Sequence, residues 1–359
     1  MDKKAIVTKA LNEFGIFENI EPYGNGHIND TFVTESYDYL IQRINTNVFK
    51  KPEELMANID NVTTFLKDKI VKEGGDPERE TLTVVKTKNG ENFYKVDDKN
   101  VYRVYKFVKN SKSIENSKTY EDLYCAGASF GHFQMLLDDY PAETLFETIA
   151  DFHNTPKRVE ALKEAIKNDL KGRKASVEKE IEFALKCADE FASVAVDELK
   201  KGTMPLRVTH NDTKINNILF DDETSKAICV IDLDTVMPGS SLYDFGDALR
   251  MGASTGAEDE TNLDLVNFDV KAFESFAKGY LSEMKDKLSE KEIELLPFSA
   301  KLLTYECGIR FLTDYLNGDT YFKIHREHHN LDRARNQFKL VYDISTKENE
   351  LSEIIEGLL

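Results

Sequence analysis

The chain has 359 residues, of which 41% are hydrophobic and 31% are charged. This composition is typical of a folded globular protein, and the length favours two domains or lobes over a single core. With 47 basic against 65 acidic residues the formal charge is −18, so the overall field repels nucleic acid and anionic membranes, and a phosphate ligand needs local donors or a metal.

Nothing in the sequence indicates export or membrane insertion. Residues 1–16 mix charged and apolar side chains at helical spacing, and no run of about 18 uninterrupted apolar residues occurs. The four cysteines are widely spaced among apolar neighbours, which favours buried free thiols. We therefore expect a cytoplasmic protein with no membrane or nucleic-acid partner, and no protein partner is implied.

Residues 1–108 are predicted to form a small lobe of antiparallel strands with one helix. Strand-like runs occur at residues 30–34, 39–44, 82–86, 93–96 and 101–107. Asn89-Gly90 is a hairpin signal between two of them. The helix is predicted to begin near Pro52, a residue suited to a first helical turn, because apolar residues follow it at helical spacing.

Residues 109–359 are predicted to form a larger, mostly helical lobe. Helical periodicity occurs in residues 118–139, 143–153, 175–200, 268–288, 290–317 and 328–350. Three short apolar runs in the middle, at 206–212, 217–220 and 227–234, indicate small strands that carry a functional loop. No Pro/Gly-rich linker separates the two parts, so we expect a strand-like hinge near residues 106–109 and a cleft between the lobes. The predicted fold class is α+β.

A polar segment from His210 to Asn217 has the composition of a phosphotransfer site. Asp212 lies five residues before Asn217. Phosphoryl transfer from a nucleotide needs such a pair, a carboxylate that accepts the proton of the attacking hydroxyl and an amide that helps to hold a metal on the phosphates. Asp232 ends a second apolar run twenty residues after Asp212, and it is the expected metal ligand because magnesium prefers oxygen donors. His210 is expected to support the loop.

The segment Asp244-Phe245-Gly246 spells the D-F-G motif of protein kinases. It follows Asp212 by 32 residues and has no apolar strand before it, so the spacing favours Asp232 as the metal ligand. We expect Asp244 to lie at the start of a helix, to accept hydrogen bonds from backbone donors and to support the catalytic loop.

The pattern H-N-D-x4-N followed by I-D-L-D resembles the aminoglycoside phosphotransferase and choline kinase superfamily, which has a protein-kinase-like two-lobe fold. Residues 21–32, 206–220, 231–255 and 302–322 resemble, within it, the N-acetylhexosamine 1-kinases. The resemblance implies an enzyme that uses ATP and Mg²⁺ to phosphorylate the anomeric hydroxyl of N-acetylglucosamine or N-acetylgalactosamine. The smaller lobe would bind the nucleotide, and the larger lobe would carry the catalytic loop and the sugar site.

Carried over by motif, the resemblance implies that Asp212 is the general base and contacts the sugar, and that Asn217 and Asp232 hold the metal. Asp234 is two residues further on and on the same side of an extended chain. We therefore expect it to assist at the metal through a water molecule or to line the phosphate site.

For the sugar, the resemblance implies contacts from His27, Arg310 and Tyr321, each of which lies within a matched stretch. Polar groups with fixed hydrogen-bonding directions are what recognition of sugar hydroxyls and an acetamido group requires. Arg310 lies in a predicted long helix, where an ordinary surface or ion-paired arginine is the alternative.

Nucleotide binding is predicted at the turn Gly24, Asn25 and Gly26 and at the hinge residues Lys106 and Val108. Two glycines allow the backbone to approach phosphates closely, although a lone G-x-G also fits a simple hairpin turn.

The predicted strand at residues 39–44 departs from the kinase pattern. It offers Gln42 where a phosphate-pairing lysine is expected, and the neighbouring Arg43 points to the other face because side chains alternate along a strand. Gln42 is assigned to the nucleotide site, and more of the phosphate charge is expected to fall on magnesium and backbone donors.

Two other functions fit the same residues. One is a kinase for another hydroxyl acceptor, such as choline, homoserine, methylthioribose or an aminoglycoside, because one fold hosts many substrates. The other is a catalytically inactive kinase fold that acts as a binding module, which the missing lysine would suit. The cation at Arg310 favours the sugar, and the intact Asp212, Asn217 and Asp232 favour an active enzyme.

Overall fold

The structure is a computed structural model, and it describes residues 3–24, 28–114 and 119–359. Contacts between Cα atoms divide the chain into two compact units that interleave along the sequence. The sheet unit comprises Met1–Glu115, Leu136–Ala150 and Asn216–Pro238, and the helical unit comprises Asn116–Met135, Asp151–Ile215 and Gly239–Leu359. A small antiparallel lobe and a larger helical lobe confirm the predicted α+β class. The boundary at residue 108 stays a prediction.

An antiparallel sheet is the framework of the sheet unit. Its strands are β1 (Ile20–Pro22), β2 (Asp30–Thr34), β3 (Tyr39–Ile44), β4 (Val84–Val85), β5 (Tyr94–Asp97) and β6 (Asn100–Lys106). They follow the order β1-β2-β3-β6-β4, and β5 pairs with β6. The predicted bounds of β2 and β3 are confirmed, whereas β4 is shorter than its apolar run. The register places Gln42 of β3 opposite Arg103 of β6.

Two helices accompany this sheet. The helix α2 (Pro52–Glu73) has proline in its first turn, as predicted, and ends at Gly74, whose φ of 82° permits the left-handed cap. The helix α1 (Lys3–Glu13) buries Val7 and Leu11 in a cluster with Ile41. The prediction of a single helix in this part of the chain was therefore wrong, because α1 packs its apolar stripe against the sheet.

A second, smaller sheet in the same unit carries the candidate metal ligands. It has the order β10-β9-β7 and consists of β7 (Ser111–Ser113), β9 (Ile218–Asp221) and β10 (Ala227–Val230). The strand β11 (Met237–Gly239) lies at the sequence boundary between the two units.

The helical unit contains the short strand β8 and most of the helices. Their bounds are α3 (Tyr120–Leu136), α4 (Thr155–Asn168), α5 (Glu178–Phe191), α6 (Val194–Lys201), β8 (Arg207–Thr209), α7 (Ser241–Gly252), α8 (Val270–Met284), α9 (Glu290–Asn317), α10 (His329–Ser345) and α11 (Glu348–Leu358). The bounds of α9 match residues 290–317, where Ser289 and Glu292 form a capping box.

The helix predicted at residues 143–153 was wrong. That stretch holds a 3₁₀ turn, Ala142–Thr144, followed by turns. The helix α4 begins instead at Thr155, because the Asn154 side chain accepts a hydrogen bond from the backbone N–H of Lys157 and a proline stands in the first turn. The cap at Asn154 thus determines where the helix begins, and the apolar spacing of the preceding residues does not produce a helix.

All four cysteines are free, as predicted, and two of them, Cys187 and Cys229, are buried. Burial raises the pKa of Cys187 to about 11. Among the described residues, no helix is both long enough and apolar enough to span a lipid bilayer.

The helices α3 and α8 approach each other closely at paired glycines. A Cβ atom at Gly279 would lie 2.0 Å from the carbonyl oxygen of Tyr124, and one at Gly127 would lie 2.1 Å from that of Phe276. No carbon atom fits at such distances from backbone oxygen. The contact between α3 and α8 therefore requires glycine at both positions.

We predict that Gly279→Ala lowers the free energy of unfolding by about 1–3 kcal/mol, because the added methyl group forces the two backbones apart. Chemical denaturation measures this change. Gly357→Ala is the matched control, since a Cβ there meets nothing within 4 Å and alanine is the better helix former. Equal stability of the two variants would contradict the close packing.

Candidate active site

The carboxylate of Asp244 holds the start of the predicted catalytic loop. It is buried and accepts hydrogen bonds from the backbone N–H of His210 at 2.9 Å and of Asn211 at 2.7 Å. Gln134 donates its side-chain N–H to the same carboxylate at 2.6 Å and accepts from the Tyr280 hydroxyl at 2.5 Å. Burial raises the pKa of Asp244 above its usual value. The predicted support of the loop by Asp244 is confirmed.

The other two residues of the D-F-G segment, Phe245 and Gly246, are buried in α7, and the glycine contributes to packing between helices. This helix begins at the cap residue Ser240, whose hydroxyl accepts from the Leu242 N–H at 3.2 Å. A Cβ at Gly246 would lie 2.4 Å from the carbonyl oxygen of Ser299 in α9. The glycine thus allows α7 and α9 to pack closely.

Asp212, the predicted base, follows the anchored residues directly. The backbone N–H of Thr213 donates to Asp247 at 3.1 Å, and its hydroxyl donates to the Asp244 carbonyl at 2.7 Å. Lys214 lies 2.7 Å from the Asp212 carboxylate, whose side chain is 26% exposed. Burial disfavours the charged form of Lys214, but attraction by Asp212 and Asp247 raises its pKa above the usual value. Lys214 was missed from the sequence, although its position two residues after Asp212 could have indicated it.

The candidate metal ligands Asn217 and Asp232 belong to the sheet unit. The backbone N–H of Ile231 donates to the Asn217 carbonyl at 2.9 Å, which joins the two segments that carry these residues. Asp232 is exposed and has a left-handed φ of 60°, a strained conformation for a non-glycine residue that is frequent at functional sites. No cluster of three or more His, Cys, Asp or Glu suited to a metal occurs in the described part of the chain.

Asp234 forms a buried ion pair with Arg103. Oδ1 of Asp234 lies 2.5 Å from Nη1 of Arg103, and the side chains are 5% and 1% exposed. The other oxygen, Oδ2, accepts from the side-chain amide of Asn29 at 2.7 Å. Both oxygens of Asp234 thus face protein groups, and its assignment as a metal ligand stays a prediction.

Gln42 belongs to the same polar network. Its side-chain oxygen accepts from Nε of Arg103 at 2.9 Å, and its amide donates to the Thr31 hydroxyl at 3.1 Å. Arg43 takes a different partner, with its guanidinium 2.5 Å from Asp30. Arg103 was missed from the sequence because its position opposite Gln42 depends on strand pairing.

The remaining nucleotide-binding predictions fall on the sheet unit. Gly24 has a φ of 70°, which suits glycine, whereas Asn25 and Gly26 lie outside the described residues, as does the predicted sugar ligand His27. Lys106 forms an ion pair with Glu78 at 2.6 Å. The carbonyl of Val108 accepts from the Ser111 hydroxyl at 2.6 Å. The nucleotide roles of these residues stay predictions.

The predicted sugar ligand Arg310 lies among aromatic rings in the helical unit. Its guanidinium carbon is 5.6 Å from the ring centre of Phe152 and 5.5 Å from that of Phe322. Arg158 donates to the Phe152 carbonyl at 2.9 Å, and burial together with repulsion by Arg310 lowers its pKa. Tyr321 is 65% exposed. Within the described ranges, neither arginine has a carboxylate ion-pair partner.

His153 connects this group of side chains to α7. Its Nδ1 lies 2.8 Å from Oε1 of Glu306, and its ring centre lies 5.0 Å from that of Tyr243. Burial favours the neutral acid, but His153 and Thr155 together hold the pKa of Glu306 below its usual value. Because Tyr243 precedes Asp244, a continuous series of contacts within the helical unit leads from Arg310 to the loop that carries Asp212.

Comparison with known proteins agrees with this geometry. Residues 101–275 match the model of the family described as "Phosphotransferase enzyme family". The chain is similar in structure to an aminoglycoside phosphotransferase from Alicyclobacillus acidocaldarius, with a TM-score of 0.63 and 12% identity over 97% of this chain and 96% of that one. A microcompartment-associated aminopropanol kinase aligns with a TM-score of 0.57 and 15% identity over 97% and 98%. A Plasmodium vivax ethanolamine kinase aligns with a TM-score of 0.52 and 14% identity over 89% and 82%. These structures share the fold.

We predict that Asp244→Ala lowers the free energy of unfolding by about 3 kcal/mol or more, because it leaves three buried N–H donors without an acceptor. Thermal and chemical denaturation measure the loss. Asp286→Ala in the same unit is the control, since Asp286 is exposed. A loss below about 1 kcal/mol would show that the loop does not depend on Asp244.

Proposed function

We propose that the protein is a small-molecule kinase with an N-acetylhexosamine as acceptor, starting from the match of residues 101–275 to the family model described as "Phosphotransferase enzyme family". It transfers the γ-phosphoryl group of ATP to the anomeric hydroxyl and yields the sugar 1-phosphate. The anchored loop around Asp212 supports the kinase reaction, and the arginines Arg158 and Arg310, which form no ion pair with a carboxylate within the described ranges, support the choice of acceptor.

Asp212 is the proposed general base. The carboxylate accepts the proton of the acceptor hydroxyl as the oxygen attacks the γ-phosphorus, and the phosphate oxygen of ADP leaves on the opposite side. Two features of the helical unit support this role. The backbone on the N-terminal side of Asp212 is held by Asp244, and the ammonium group of Lys214 lies 2.7 Å from the Asp212 carboxylate and holds it in place.

Asn217 and Asp232 would hold Mg²⁺. An amide oxygen and a carboxylate are the hard donors that this ion prefers, and it takes the rest of its ligands from water and phosphate. When bound, the ion offsets the negative charge of the phosphates. Asp232 is exposed and ends the β9–β10 hairpin segment, which leaves its carboxylate accessible to a ligand.

We assign the acceptor site from the positive charge of two neighbouring arginines, Arg158 and Arg310. Arg158 and Arg310 lie close enough for repulsion to lower the pKa of Arg158, and within the described ranges no carboxylate pairs with either. Glu306 attracts both arginines and Asp151 attracts Arg158, yet guanidinium groups still donate hydrogen bonds to oxygen and repel ammonium groups. A neutral sugar with hydroxyl and acetamido oxygens suits this pair. Amine-bearing acceptors would require acidic partners instead.

A phosphorus NMR assay of the protein with ATP, Mg²⁺ and a panel of acceptors tests the proposal. We expect turnover of N-acetylhexosamines, with the new resonance of a phosphate on the anomeric oxygen. Turnover of amine-bearing acceptors alone would contradict the acceptor assignment. Absence of turnover with every acceptor would contradict the kinase assignment and favour a binding module.

We predict that Asp212→Asn lowers kcat by about two to four orders of magnitude, because the amide cannot accept the proton. Binding of ATP is expected to remain close to that of the wild type. Steady-state kinetics and calorimetric titration measure the two quantities, with Asp222→Asn, an exposed carboxylate on the β9–β10 turn, as the control. Near-normal turnover in Asp212→Asn would remove Asp212 from the role of base.

A further inference from the structure

The strand β3 lacks the lysine that kinase folds use at the phosphates, and the adjacent strand supplies a cation in its place. Gln42 stands at the expected position, and Arg103 is its partner across the β3–β6 pair. Side chains directly opposite each other on paired strands project from the same face of a sheet. The 2.9 Å hydrogen bond from Nε of Arg103 to Gln42 agrees with this direction.

The guanidinium of Arg103 reaches the turn that carries both candidate carboxylates. Its Nη1 lies 2.5 Å from Asp234. A guanidinium group stays charged in a folded protein, so Arg103 brings a cation to this turn. The side-chain amide of Asn29 donates a hydrogen bond to Oδ2 of Asp234, so both carboxylate oxygens are held by protein groups.

Several other cations of the sheet unit pair with carboxylates away from this turn. Arg43 pairs with Asp30, Lys86 pairs with Asp60, and Lys106 pairs with Glu78. The buried ion pair between Arg103 and Asp234 brings a cation to the Asp232–Asp234 turn.

We propose that Arg103 replaces the missing β3 lysine as a positioning residue, fixing the Asp232–Asp234 turn so that Asp232 can serve Mg²⁺ and the triphosphate. This inference rests on the proposed kinase function. A guanidinium suits the task because its planar fork can face two groups at once. Here Nε donates to Gln42 and Nη1 forms an ion pair with Asp234, whereas a lysine would offer a single ammonium group.

The test compares Arg103→Met with the double variant Gln42→Lys/Arg103→Met, which restores a cation to the family position on the same face. Calorimetric titration with ATP and Mg²⁺, without any acceptor, measures nucleotide affinity. Kinetics then give kcat, the KM for each substrate and the Mg²⁺ concentration for half-maximal rate. Arg43→Met is the matched control, because Arg43 also pairs with a carboxylate, that of Asp30, and its guanidinium donates to Asp30 and to the carbonyl of Lys99.

We expect Arg103→Met to weaken ATP binding by about tenfold or more and to raise the Mg²⁺ requirement, since one charge-assisted contact at the turn is lost. The KM for the acceptor should stay within about twofold of the wild type. A purely structural role for Arg103 would change ATP affinity and the acceptor KM together. The double variant should regain a substantial part of the affinity. Arg43→Met should behave like the wild type.

Two results would overturn the inference. The first is a folded Arg103→Met that binds ATP and Mg²⁺ as tightly as the wild type. The second is a folded double variant with no recovery of affinity, and this variant decides the matter alone if Arg103→Met does not fold. Because the titrations contain no acceptor, they remain informative even if the acceptor panel disproves the sugar kinase.

Discussion

The buried carboxylate of Asp244 is the group on which the helical unit depends. It connects the backbone of His210 and Asn211 to α7, and through Gln134 to Tyr280 of α8. Burial raises the pKa of such a carboxyl, and attraction by His210 together with the hydrogen bonds, each contributing roughly 1.5–3 kcal/mol when charge-assisted, opposes this effect. These contacts hold the backbone that directly precedes Asp212.

The sheet unit also contains a buried carboxylate. Asp234, like Asp244, is buried, but its partner is a cation, the guanidinium of Arg103. A buried pair gives little net stability, because desolvation offsets the attraction, yet removal of one partner is strongly destabilising. The pair therefore fixes one geometry of the Asp232–Asp234 turn. In contrast, Arg158 and Arg310 form no ion pair with a carboxylate within the described ranges, although Glu306 attracts both, and this difference distinguishes them from the paired Arg103.

Some predictions depended on signals that competed locally. Residues 143–153 had helical spacing, but the Asn154 cap and the following proline set the start of α4 at Thr155. The spacing at Asp244 predicted support of the catalytic loop, and the contacts with His210 and Asn211 confirm that role. The helical spacing of residues 1–16 argued against an export signal, and packing against the sheet shows that this spacing also forms α1.

The sequence by itself predicted the α+β class, the bounds of β2, β3 and α9, and the loop from His210 to Asn217 as the candidate site, because these follow from spacing between near neighbours. Only the tertiary structure decided which cation meets Asp234. Gln42 and Arg103 are 61 residues apart, and strand register, which depends on the packing of whole strands, brings them together. The same holds for Arg158 and Arg310, because whether a charge is paired or available depends on residues that only folding makes neighbours.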